Sequence, residues 1–350
     1  MLTSDQQNDL ARAIQRAFPL ERDPYARLGE PLGVGAEEVR AQLLSWERDE
    51  LLREVSGILE GSALGHQSAL VACCVPAEQL ERVALIINEH PTITHNYVRE
   101  HDYNLWFTIA VPDEMGIEAS LERLGHAAGV PSFAILRRTL TFKIGVNFDL
   151  KTRRSVTEKT ALESAASVEL GDRARRLFRA LQTPLRYVED PFGELGERLG
   201  VDPDELLAFG REHLGGAMRR YVATYRHRRL GVSGNGMAVW DVPEADQPRV
   251  GGLLASAPEV SHCYAREAAP GFPYTVYSMI HGPDREAVEG IVARLAEQTG
   301  VEDRIVLFST HEYKKCRLRY FLPELDAWWD ANALPSAGAL GEAPAPASPG

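Results

Sequence analysis

Short motifs recur along this chain at a nearly constant separation, and that repeat limits the fold more than any other feature of its 350 residues. Asp23-Pro24 returns as Asp190-Pro191, Val75-Pro76 as Val242-Pro243, and His95-Asn96-Tyr97-Val98-Arg99 as His262-Cys263-Tyr264-Ala265-Arg266, each 167 positions later (262 less 95, for instance). From Tyr103-Asn104-Leu105-Trp106, answered by Tyr274-Thr275-Val276-Tyr277, the separation is 171 (274 less 103), and Phe142-Lys143 answers Tyr313-Lys314 at the same spacing. The extra residues fall in Ala268–Phe272, a loop insertion. A register held over such a length marks a duplicated module.

Each copy opens with apolar residues at helical spacing, broken at Gly33–Gly35 in the first and capped by Asp202-Pro203 in the second, a helix–turn–helix pattern. An alternating half follows. SALVACCVP is a strand ended by proline, AEQLERVALIINEH an amphipathic helix, ITHNYVRE and YNLWFTIAV strands, SLERLGHAAG a helix and FAILRRTLTFKIGV a long strand. The second copy repeats this βαββαβ order, the ferredoxin-like pattern. The expected fold is α+β: a tandem duplication in which each copy is a winged-helix-like segment joined to a ferredoxin-like domain. The boundaries fall at 1–62 and 63–150, a linker and helix at 151–180, then 181–230 and 231–322. A C-terminal segment, 323–350, ends in an Ala/Pro/Gly-rich tail expected to be disordered.

Composition narrows the partners. The chain is 44% hydrophobic and 25% charged, with a net charge of −12, which repels a polyanion unless a basic patch overrides it. The candidate recognition helix, Ala36–Glu50, sets Glu37, Glu38, Glu47, Asp49 and Glu50 against Arg40 and Arg48. A helix entering the major groove needs donors, so DNA is not an expected partner. No run approaches the roughly 18 apolar residues of a membrane span, and MLTSDQQNDLARAIQRAFPL lacks the basic-then-apolar plan of a signal peptide. Cys73, Cys74, Cys263 and Cys316 show no CxxC spacing and read as free thiols of a cytoplasmic protein.

Chemistry concentrates on the strands of the two α/β halves. Alternation puts His95, Tyr97 and Arg99 on one face, and His262, Tyr264 and Arg266 on the matching face of the second copy. Core positions seldom carry such residues. Tyr103 and Tyr274 begin the next strands, while Lys143, Lys314 and Lys315 lie on the last ones. Imidazoles flanked by phenols and fixed cations suit a ligand with many carboxylates. The copies also differ: Arg228-Arg229 answer Ser62-Ala63, His281 answers Ala110, and His101 falls where the second copy has its insertion. That asymmetry favours one productive site over two. His95, His101, His262 and His281 form the pool of proton donors, with Tyr97 and Tyr264 as hydrogen-bonding or relay groups. Arg99, Arg228, Arg229, Arg266, Lys143, Lys314 and Lys315 are the candidate carboxylate anchors, with Tyr103 and Tyr274 beside them. No Gly-rich phosphate loop, GxSxG or HExxH motif occurs.

The helix–turn–helix segment followed by a ferredoxin-like domain resembles the Lrp/AsnC family of transcription regulators. More specifically, LVACCVP, THNYVREHDYNLWFTI and FKIGVNFDL resemble one subunit type of the siroheme decarboxylases. RRLGVSGNGMAVWDVP, VSHCYAREAAPGFPYTVYSMIHG and EYKKCRLRYF resemble its partner type. The resemblance covers Asp23 to Phe321 and implies two fused subunits pairing within one chain as a pseudodimer, with a higher oligomer also possible. It implies removal of carbon dioxide from the C12 and C18 acetates of siroheme, giving 12,18-didecarboxysiroheme for heme d1 synthesis, without a cofactor. The ligands it implies are siroheme and its monodecarboxylated intermediate, with other heme d1 biosynthesis proteins as possible partners. His95 or His262 is the implied axial ligand to the substrate iron; no metal site of the protein's own is implied. The alternative is a tetrapyrrole-responsive regulator.

Overall fold

A computed structural model of the chain describes residues 2–144, 147–149, 154–156, 167–225 and 234–334, with the backbone alone at 147–149, 154–156, 234 and 235. Arg228, Arg229 and the C-terminal tail from residue 335 lie outside the described residues.

The N-terminal part of each copy is helical, and local chemistry sets its ends. Helix α1 (Ser4–Arg16) starts in a capping box built by Thr3 and Gln6. The duplicated Asp-Pro pairs start equivalent helices: Asp23 caps α2 (Pro24–Gly29) by accepting from Ala26 N at 3.0 Å. Helix α3 (Ala36–Arg48) follows a turn in which Gly33 has φ 66°, left-handed backbone that favours glycine. Strand β1 (Leu52–Leu59) then leads into the first α/β half: β2 (His66–Cys73), α4 (Leu80–Glu89), β3 (His95–Arg99), β4 (Leu105–Pro112), α5 (Ile117–Ala128) and β5 (Ala134–Lys143).

A short hairpin, β6 (Asn147–Asp149) with β7 (Arg154–Val156), and helix α6 (Asp172–Leu181) bridge to the second copy. There α7 (Pro191–Leu199) is capped by Asp190, which accepts from Gly193 N at 2.8 Å, and ends at Gly200, φ 66°, the counterpart of Gly33. Helix α8 (Pro203–His213), β8 (Met218–Tyr225), β9 (Gly234–Trp240), α9 (Gln247–Ser256), β10 (Val260–Arg266), β11 (Val276–Gly282), α10 (Arg285–Thr299) and β12 (Arg304–Lys315) complete the repeat. Helix α11 (Pro323–Ala331) follows and lays Trp328 against the α4–α5 side of the first half.

Both halves have the strand order of the βαββαβ pattern, β3-β4-β2-β5 and β10-β11-β9-β12. They meet edge to edge: β12 pairs with β3 and β5 with β10, closing one eight-stranded barrel. The pairing is therefore intrachain, and the long last strand of each copy completes the other copy's sheet. Helices α4 and α5 cover one side of the barrel and α9 and α10 the other, each over its own core. The lumen is filled by Trp106, Leu136, Met237, Val239, Tyr277 and Leu307, and Phe272 of the insertion packs into this same core.

One feature of the helical part was not anticipated from sequence. Strands β1 and β8, one from each copy, pair antiparallel as a separate two-stranded sheet. This sheet is tied to the barrel by Arg317, just beyond β12, which donates to Glu54 Oε1 at 2.6 Å and Ser56 Oγ at 2.5 Å. The β1–β8 sheet, α1–α3 and α6–α8 share a single core.

A candidate active site in two related clusters

His95 opens β3 at the end of the barrel that faces β1. Its Nδ1 lies 2.9 Å from Thr94 Oγ1, which is 3.0 Å from Thr108 Oγ1 on β4. Tyr97 shares the face, with ring centroids 6.1 Å apart, and the Arg99 guanidinium stands 5.7 Å from the Tyr97 ring. Lys315 pairs with His95 across β3–β12. Burial pushes the His95 pKa down to about 4, and Lys315 and Arg53 of β1 push the same way. The ring is thus neutral at pH 7 and sits beside two cations.

The second copy repeats this arrangement with differences. His262 Nδ1 lies 2.9 Å from Ser261 Oγ, and Ser261 Oγ lies 2.6 Å from His281 Nε2 on β11. The His262 and Tyr264 centroids are 6.2 Å apart. Arg266 and Arg138 stand 5.3 and 5.8 Å from the Tyr264 ring. Burial raises the Tyr264 pKa, opposed by Arg266, Arg138 and Arg219 of β8. Arg219 is ion-paired with Glu60 and also acts on buried Tyr320, whose phenol burial pushes up to about 12. Each cluster therefore lies where the barrel end meets the β1–β8 sheet: Arg53 comes from β1 to one, Arg219 from β8 to the other.

Several sequence expectations need correction. Lys143 and Lys314 point away from the clusters, into the helix layer. Lys143 Nζ donates to Ala257 O at 2.8 Å, just past the end of α9. Lys314 Nζ donates to Asn88 O at 2.7 Å, in the last turn of α4. Each lysine thus satisfies the C-terminal carbonyls of a helix in the other copy, where a cation is favoured. Arg99 is 7% exposed and Arg266 half-buried. They donate to Leu307 O and Leu136 O, at 2.8 and 3.0 Å, across the two seams of the barrel. Both guanidiniums are thus held by main-chain carbonyls beside the tyrosine rings. Burial lowers both guanidinium pKa values to about 10, which leaves them charged at neutral pH.

His101, Tyr103 and Tyr274 lie at the opposite end of the barrel, because β3–β4 and β10–β11 are hairpins whose loops are remote from His95 and His262. His101 accepts from Tyr103 N at 3.0 Å, and Tyr103 Oη donates to Pro270 O at 2.8 Å. Together with Tyr274 they surround Phe272, so the insertion seals the barrel end. Residues that sequence reasoning passed over are Arg53, Thr94, Arg138, Arg219, Ser261 and Tyr320. Thr94 and Ser261 had a readable signal: a hydroxyl precedes the histidine in both copies.

Among the described residues, no group of three or more His, Cys, Asp or Glu side chains is placed to hold a metal ion. No helix among them is long and apolar enough to cross a membrane.

The fold and its paired clusters define a protein made from two ligand-binding modules of AsnC type. The family model for the AsnC-like ligand binding domain matches residues 63–143 and 229–314. Over 328 residues, 91% of this chain and 96% of the relative, the sequence is 33% identical to the siroheme decarboxylase of Hydrogenobacter thermophilus. It is 34% identical over 313 residues to the siroheme decarboxylase NirDL subunit of Paracoccus pantotrophus, covering 87% of this chain and 94% of the relative. The crystal structure of a siroheme decarboxylase NirDL in co-complex with an iron-uroporphyrin III analogue matches with a TM-score of 0.77 and 28% identity, over 93% of this chain and 98% of that one. The chain belongs to the siroheme decarboxylase family.

Proposed function

We propose that this chain removes the acetate carboxyl groups at C12 and C18 of siroheme, giving 12,18-didecarboxysiroheme for heme d1 synthesis, with no oxidant and no cofactor of its own. One observation carries the reading: two imidazole–phenol–guanidinium rows flanked by cations at the barrel end, in a chain whose solved relative is in complex with an iron-uroporphyrin III analogue. The fused, two-copy architecture supports the heme d1 assignment.

The chemistry follows from the residues present. An acetate on a pyrrole loses carbon dioxide when the ring can accept the bond's electron pair, and protonation of a ring carbon creates that sink. The methylene then takes up a proton as aromaticity returns, so that CH2–COO⁻ plus one proton becomes CH3 plus carbon dioxide. His95 and His262 are the general acids, and Tyr97 and Tyr264 bond to the reacting carboxylates. Arg53, Lys315, Arg138 and Arg219 anchor the remaining carboxylates, with Arg228 and Arg229 as further anchors. Arg99 and Arg266 position the tyrosines. The second cluster holds the fuller set, with His281 behind it, and is the main productive site.

We further infer that α2–α3 and α7–α8 derive from winged-helix readers that no longer bind DNA, because α3 keeps Glu37 and Glu38 in its first turn. Four free cysteines suit a cytoplasmic enzyme. The test is anaerobic incubation of the purified chain with siroheme, followed by mass spectrometry. Loss of two carbon dioxide units is expected; binding without any change in mass overturns the reading.

A further inference from the structure

The two clusters differ most in what stands behind the histidine. In the first, His95 Nδ1 meets Thr94 Oγ1 at 2.9 Å, and the path continues at 3.0 Å to Thr108 Oγ1, another hydroxyl. Ala110 occupies the position that answers His281, so this path has no imidazole at that place. In the second, the path runs from His262 Nδ1 through Ser261 Oγ to His281 Nε2, at 2.9 and 2.6 Å, and joins two imidazoles on adjacent strands. Ser261 is 2% exposed, which makes the hydroxyl the bridge between the rings. Its contact with Met279 O is much longer, at 3.5 Å.

We propose that Ser261 is a proton-relay and positioning residue that couples His281 to His262, and that this relay is peculiar to the second copy. The inference rests on the decarboxylase reading and adds a residue and a division of labour to it. A serine hydroxyl accepts one hydrogen bond while donating another. His281, as imidazolium, gives its Nε2 proton to Ser261 Oγ while the hydroxyl hydrogen passes to His262 Nδ1. His262 then carries protons on both nitrogens and gives the one on Nε2 to the substrate. One proton enters at His281 for each delivered, the serine ends with a hydroxyl again, and solvent restores the half-buried imidazoles before the next turnover. Among the described residues, the first cluster has no second imidazole on the corresponding path.

Ser261→Ala, Ser261→Thr, His281→Gln and the Ser261→Ala/His281→Gln double variant are compared with wild type in anaerobic siroheme turnover. Ser261→Ala is expected to lower kcat by roughly tenfold or more, a share of what a positioned acid contributes, with KM within about twofold. Its proton inventory in mixed H2O and D2O should lose the multi-proton curvature of wild type. Ser261→Thr, which copies Thr94, should recover most of kcat. His281→Gln should match Ser261→Ala, and the double variant should cost no more than either single change, as for residues acting as one unit. Unchanged kcat in Ser261→Ala, or additive losses in the double variant, overturns the relay. A wild type that turns over no siroheme overturns the decarboxylase reading instead. A second measurement needs no turnover: 15N NMR of labelled histidine should show His262 Nδ1 hydrogen-bonded in wild type and altered by Ser261→Ala. An identical His262 signal in the two proteins also overturns the relay.

Discussion

Arg99 Nη1 donates to the carbonyl of Leu307 at 2.8 Å, so a guanidinium of the first copy is fixed to the main chain of the second. Arg266 makes the reciprocal bond to Leu136 at 3.0 Å. Each seam of the barrel is thus held by a guanidinium from the neighbouring strand. Removing Arg99 takes a charged hydrogen-bond donor from this carbonyl, which costs about 1.5–3 kcal/mol before lost packing is counted. Arg99→Leu should lower unfolding stability by at least that much in urea titration, and Arg266→Leu similarly. Arg99→Lys should not restore it, since an ammonium lacks the planar fork.

His95 predicts a pH dependence of stability. Its folded pKa of about 4, and that of fully buried His90 at about 3, lie below the ordinary histidine value of 6.5. As pH falls through 6.5, the unfolded chain takes up protons that the folded chain refuses. Stability is therefore complete above that value and is lost as pH drops toward 4, by up to about 1.4 kcal/mol per pH unit for each ring. His95→Gln should reduce the slope by one proton in urea midpoints measured across this window. A bound polycarboxylate would offset Lys315 and Arg53. An iron porphyrin that resists decarboxylation should therefore raise the His95 pKa in an NMR titration.

The lysines should separate cleanly. Lys314→Met removes a helix-end cation and is expected to cost about 0.3–2 kcal/mol of stability, with KM for siroheme unchanged. Lys315→Met should leave stability nearly untouched and raise KM. Stopped-flow binding at several salt concentrations should show a weaker ionic-strength dependence for the Lys315 variant alone.

His101→Ala offers a contrast with His95 and His262. About 20 Å of strand and turn separates His101 from His95, at roughly 3.3 Å per residue. Turnover should stay within about twofold of wild type, while His262→Ala should lose roughly a hundredfold or more. The His101 variant should instead melt at a lower temperature, because His101 packs edge-on to Phe272 in the barrel plug.

The repeat made the strand order of both halves readable, along with the rows His95-Tyr97-Arg99 and His262-Tyr264-Arg266. What escaped had physical causes. Strand β1 carries buried Glu54, Ser56 and Gly57 where a sheet face usually shows apolar side chains, and its partner β8 lies in the other copy. The lysines were misassigned because the register shifts between Glu312 and Lys314 on β12, and between Thr141 and Lys143 on β5. Each shift changes which face the next residue occupies. Tyr103 and Tyr274 matched in register, but matching says nothing of which barrel end a hairpin loop occupies. The close approach of α9 to β5 was also hidden. A side chain on Gly251 would collide with the Phe142 ring, a contact between copies that no local pattern signals.

Barrel closure has a consequence for how this chain is made. During synthesis the first half emerges with the borders of β3 and β5 open, and their partners, β12 and β10, arrive only with the second half. An isolated half is an adhesive object, able to join a copy of itself as readily as its proper mate. Tethering the two turns a choice among molecules in solution into a nearly unimolecular event at high local concentration. The fusion thereby keeps the halves at one to one and disfavours the like-with-like pairing that would build a barrel with two His95 clusters and no Ser261–His281 path.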